Sequence, residues 1–180
     1  MTEFDPTVKR LAAWSIAVAF GVMGLKLVAW RLTGSVALLS DGLESTVNVV
    51  AAVVAFAAIT YAQKPADADH QFGHHKAEYF SAVLEGVLIA IAAMLIIQQA
   101  IPALRDPQPI DAPGAGLAVN LLASAFNAVW AFLLLRTGRA QRSPALVADD
   151  QHIFSDVVTS AGVFVGLVAA LVTGYAILDP

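Results

Sequence analysis

A bilayer's hydrocarbon core is about 30 Å thick and takes about 20 apolar residues to cross as a helix. This chain of 180 residues holds five runs of that length: Leu11 to Leu32, Val36 to Ala62, Tyr79 to Leu104, Ala115 to Leu135 and Asp150 to Ala176. In hydrocarbon every backbone N–H and C=O must be satisfied within the spanning structure, which leaves helices or a closed barrel. Barrel strands read as alternating segments of about 10 residues, and these runs do not alternate. Composition agrees, with 58% hydrophobic and 13% charged residues and a mean hydropathy of +0.72. The expected fold is an all-α membrane protein, a polytopic transmembrane helix bundle. The first run is preceded by MTEFDPTVKR, which carries both signs, and is followed by no A-x-A cleavage pattern, so it reads as a retained helix rather than a signal peptide.

The polar connections set the orientation. Lys9, Arg10, Lys64, Lys76, Arg136, Arg139 and Arg142 fall on one side of the five runs, with Arg31 and Arg105 on the other. The positive-inside rule therefore puts the N-terminus and the second and fourth connections in the cytoplasm. Short loops and the lack of a signal peptide suit a bacterial inner membrane. The formal charge of −4 is spread out, and without a basic stripe a nucleic-acid partner is not expected. Cysteine is absent, so any metal would be held by oxygen and nitrogen.

Two of the apolar runs carry a pair of polar residues four apart: Glu44 with Asn48, and His152 with Asp156. Residues i and i+4 share a helix face, so two such helices facing each other would aim four ligating groups at one spot. Two carboxylates, an imidazole and an amide oxygen suit a first-row divalent ion such as Zn²⁺, Fe²⁺, Mn²⁺ or Co²⁺. Charged groups in a span cost about 2.5 to 3.5 kcal/mol each on insertion scales and commonly mark an ion or proton path. The bland alternative is that these four only hydrogen-bond between helices. The second connection gathers Asp67, Asp69, His70, His74 and His75, with Glu78 just beyond. It reads either as a solvated loop or as the entrance to an ion site. HHKAE lacks the HExxH spacing of a zinc hydrolase, and an enzyme is not expected.

Other polar residues in the runs have plainer readings. Lys26 is expected to snorkel to the interface or pair with a carboxylate such as Asp41, snorkelling being favoured. Asp41 is read as a helix-start cap or an exit-path residue, the cap being favoured. Asn120 and Asn127 share a face suited to interhelical bonding, Glu85 carries no assignment, and Gly162 with Gly166 makes a GxxxG spacing that permits close helix approach.

The strings TGSVALLSDGLES, KPADADHQFGHHKAE and ADDQHIFSDVVTSAG are similar to the transmembrane domain of the cation diffusion facilitator family of divalent-metal transporters. The resemblance spans essentially the whole chain. It implies six helices, a homodimer and a cytosolic C-terminal domain, so residues 1–180 would be a transmembrane domain truncated before its sixth helix. It implies no cofactor but a transported divalent ion, Zn²⁺ first, with Fe²⁺, Mn²⁺ or Co²⁺ as alternatives. The transport site falls on Glu44, Asn48, His152 and Asp156, and a second, loop site on Asp67, His70 and His74. The second-helix half departs from the family's Asp or His followed by Asp, because Glu reaches further and Asn is neutral. The function implied is proton-coupled efflux by alternating access, with a transport-inactive membrane partner as the alternative.

Overall fold

The computed structural model describes residues 6–105 and 113–175, and within them the apolar runs are five helices with no strand. They are α1 (Pro6–Thr33), α2 (Val36–Ala62), α3 (Lys76–Arg105), α4 (Pro113–Gln141) and α5 (Pro144–Thr173). The shortest has 27 residues, about 40 Å at 1.5 Å per residue, so each is long and apolar enough to cross the hydrocarbon.

Helix ends follow local chemistry rather than hydropathy. α1 stops where Gly34 takes a left-handed φ of 67°, a conformation that costs glycine no steric strain. Its N–H returns to the Trp30 carbonyl at 2.8 Å. Ser35 then caps α2, its hydroxyl accepting from the Leu38 N–H at 3.1 Å, so two residues suffice to reverse the chain. Ser143 caps α5 with Pro144 in the first turn, where a missing N–H costs nothing. That start lies six residues before the expected Asp150 and brings Asp149 and Asp150 inside the helix. Residues 106–112, most of the third connection, and the terminal Asp179–Pro180 lie outside the described residues.

α1 packs on α2 and α4 on α5, while α1 also meets α4 and α2 meets α5. These four helices close a ring, and α3 lies outside it against α2 and α5. The inward stripe of α1 is Val8, Ala12, Ser15, Ala19, Val22, Lys26, Ala29 and Thr33, alternating steps of three and four that keep one face inward. Small residues let the helices approach closely. A Cβ on Gly116 of α4 would stand 2.1 Å from Thr33 Cγ2. The GxxxG expectation fares differently, because a Cβ on Gly162 would meet nothing within 4 Å. Outside the ring Trp14, Phe20, Phe80, Met94, Phe126 and Phe132 are exposed, as a lipid-facing surface requires.

Candidate metal centre

The α2 face turned into the ring carries Asp41, Ser45 and Asn48, and the α5 face carries Asp149, His152, Asp156 and Ser160, all of them buried. Glu44 stands beside them, half-buried. Carboxylate oxygens of Asp41, Glu44 and Asp156 lie within 4.8 Å of one another. Glu44 Oε2 accepts from Thr159 Oγ1 at 3.2 Å, and Asp41 Oδ1 accepts from Ser160 Oγ at 2.8 Å. Asp156 Oδ2 accepts from Asn127 Nδ2 on α4.

Lys26 enters this cluster from α1. Its Nζ lies 2.9 Å from Asp41 Oδ1 and 2.7 Å from Asp156 Oδ1, and the residue is 0% exposed. This corrects the snorkelling expectation. Lys26 falls in the inward register of Val22 and Ala29, so its stem runs into the ring rather than along the lipid face. A buried ammonium is tolerable only when paired and hydrogen-bonded, and two carboxylates meet that need. Asp41 is likewise no cap, since Ser35 fills that role and Asp41 sits more than one turn inside α2.

Asn48 and His152 stand apart from the carboxylate trio. His152 is buried with neither ring nitrogen hydrogen-bonded, and Asn48 Oδ1 also has no partner. Two cavities lie among these side chains. One of about 230 Å³ is lined by Ser40, Asp41, Glu44, Ile96, Thr159 and Gly162. Another, of about 10 Å³, is lined in part by Ser15, Asn48, Asn127 and Asp149, roughly the room one water occupies. Of the two α4 asparagines, Asn127 makes the interhelical bond expected of it, whereas neither amide atom of Asn120 is hydrogen-bonded. Glu85 accepts from Ser81 on its own helix at 3.0 Å.

The second connection folds as turns rather than as helix. Gly73, at φ 81°, donates to the His70 carbonyl at 2.9 Å and so brings His74 back towards Asp67. Asp67 Oδ1 lies 3.2 Å from His70 Nδ1 and Oδ2 lies 3.3 Å from His74 Nε2. Each of the three residues offers a ligating atom within 4.8 Å of the other two. His74 is buried, edge-on to Tyr61. The His70 backbone N–H, 2.7 Å from Asp67 Oδ1, is the main cause that holds the Asp67 carboxyl below its ordinary range. Nearby, Ser143 donates to Glu78, tying the α4–α5 turn to the first turn of α3.

Sequence reading gave no role to three contributors: Lys26 as a partner of Asp156, Ser160 as a partner of Asp41, and Thr159 as a partner of Glu44. The signal for Asp41 was its place three residues before Glu44 on the same face. For Lys26 it was the step of four from Val22 within a stripe of small residues.

Five lipid-length helices among the described residues, four of them ringing a buried, charged centre, define a multi-pass integral membrane protein. The chain belongs to the cation efflux family, whose transmembrane-domain model matches residues 12–180. It is 50% identical over 169 residues to the uncharacterised transporter sll1263 of Synechocystis sp., a match covering 94% of this chain and 54% of that protein. It is 32% identical over 167 residues to the cation-efflux pump FieF of Shewanella oneidensis, covering 93% of this chain and 56% of the pump. The FieF pump of Klebsiella pneumoniae is 32% identical over 165 residues, covering 92% and 55%. The chain thus spans about half the length of the curated relatives it matches.

Proposed function

We propose that the protein is a divalent transition-metal efflux transporter in which the ion binds between α2 and α5 and leaves the cytoplasm in exchange for protons. The observation that carries this reading is the group of three carboxylates, Asp41, Glu44 and Asp156, converging within 4.8 Å inside a membrane bundle. Charge at that depth is costly unless an ion or proton path needs it. Membership of the cation efflux family supports the same conclusion, as does likeness to proteins named cation-efflux pumps.

Glu44, Asn48, His152 and Asp156 form the transport site in this reading, with Asp41 added. Asp156 and Glu44 supply charge, His152 takes either a metal or a proton on one nitrogen, and Asn48 offers a carbonyl oxygen. Metal and proton compete for the same atoms, which is the basis for exchange. An oxygen-rich set suits Mn²⁺ and Fe²⁺ as well as Zn²⁺ and Co²⁺. Asp67, His70 and His74 make a second site at the cytoplasmic entrance. The N-terminus lies in the cytoplasm of a bacterial inner-membrane protein that works as a homodimer.

The test is metal flux into proteoliposomes holding the full chain under a pH gradient, with Zn²⁺, Fe²⁺, Mn²⁺ and Co²⁺ compared and Asn48→Asp beside the native protein. Flux of one metal that depends on the gradient, with a changed preference in the variant, is the expected result. No flux of any metal by the native protein, with activity gained by Asn48→Asp, would instead identify a transport-inactive partner.

A further inference from the structure

We propose that Lys26 is a tethered cation that occupies the carboxylates of the metal-free site, and that a divalent ion loads by displacing its ammonium from Asp41 and Asp156. This deepens the transporter reading and rests on it. The ammonium sits 2.9 Å from Asp41 Oδ1 and 2.7 Å from Asp156 Oδ1, and both oxygens belong to residues of the convergent trio. An ion bridging those carboxylates would stand close to Nζ, where two cations repel strongly at low dielectric. Lys26 therefore competes with the cargo.

The surrounding bonds fit a cluster built to exchange cations. Ser160 fixes Asp41 and Asn127 fixes Asp156, so both carboxylates keep their places when the ammonium leaves. Asp41 Oδ2 is buried with no hydrogen-bond partner, an acceptor ready for a cation that Lys26 does not reach. Three carboxyl groups face one ammonium, so the cluster can offer more negative charge than Lys26 alone balances. An uncompensated buried charge is what such a site must avoid in either state. The ammonium contributes to both, first as the occupant and then as the neighbour that limits how tightly the ion is held.

Equilibrium binding of Mn²⁺ to the detergent-purified full chain, read by electron paramagnetic resonance, tests this. Lys26→Met keeps the stem and removes the charge, and is expected to tighten binding by about tenfold or more. Lys26→Arg keeps the charge and is expected to bind no more tightly than the native protein. A brace that merely held the helices together would, when cut, weaken binding; unchanged or weaker binding by Lys26→Met overturns the proposal and leaves the transporter reading standing. If the native chain binds neither Mn²⁺ nor Zn²⁺, the reading beneath it fails as well. Should Lys26→Met not fold, Asp41→Asn compared with Asp41→Asn/Lys26→Met puts the same question to a cluster with one carboxylate fewer. The double variant is expected to bind more tightly, and equal or weaker binding overturns the proposal.

Discussion

At the scale of single residues, position on a helix face decides chemistry. Glu44 and Asp156 were legible because a charge in an apolar run has few tolerable directions. Lys26 was not, because a long side chain can reach the interface or the interior, and only packing of Ala19, Val22 and Ala29 against neighbouring helices settles which. The contact of Asn127 with Asp156 joins residues on different helices, and no spacing rule reports it. In the loop, the Asp67 carboxyl is held below its ordinary 3.8 first by the His70 backbone N–H. A depressed carboxyl pKa stabilises the turn above the ordinary value, and that contribution is lost as pH falls through the lowered one. A ¹³C titration of the Asp67 carboxyl should therefore show a midpoint below 3.8; a midpoint at or above it would mean that the turn does not form.

At the scale of helices, hydrocarbon thickness made the existence of all five legible, since no other structure suits runs of that length. Their ends were less so. Hydropathy placed the start of α5 at Asp150, whereas the Ser143 cap and Pro144 start it six residues earlier, bringing Asp149 into the ring. Glycine spacing was a poorer guide still, because close approach depends on what the neighbouring helix presents. Gly116→Ala should destabilise the α1–α4 contact by about 1 to 3 kcal/mol, as its Cβ would stand 2.1 Å from Thr33 Cγ2. Gly21→Ala, with nothing within 4 Å, should stay within about 1 kcal/mol of native, on the stabilised side. Thermal unfolding in detergent compares the two, and equal losses would contradict the packing described.

For the whole molecule, the ring of α1, α2, α5 and α4 gathers groups from all four helices into one centre, with Lys26 of α1 and Asn127 of α4 bound to carboxylates of α2 and α5. The cysteine-free sequence gives a clean background for topology. Gln71→Cys, on the exposed second connection, should react with a membrane-impermeant thiol reagent only from the cytoplasmic side, and labelling from outside would reverse the orientation. In the proposed function the α2–α5 carboxylates hold the transported ion. Anomalous diffraction from crystals of the full chain grown with Mn²⁺ tests it most directly. A peak bonded by oxygens of Asp41, Glu44 and Asp156, with Lys26 Nζ moved away, is the expected result. A peak at Asp67, His70 and His74 alone, with Lys26 still on both aspartates, would contradict it.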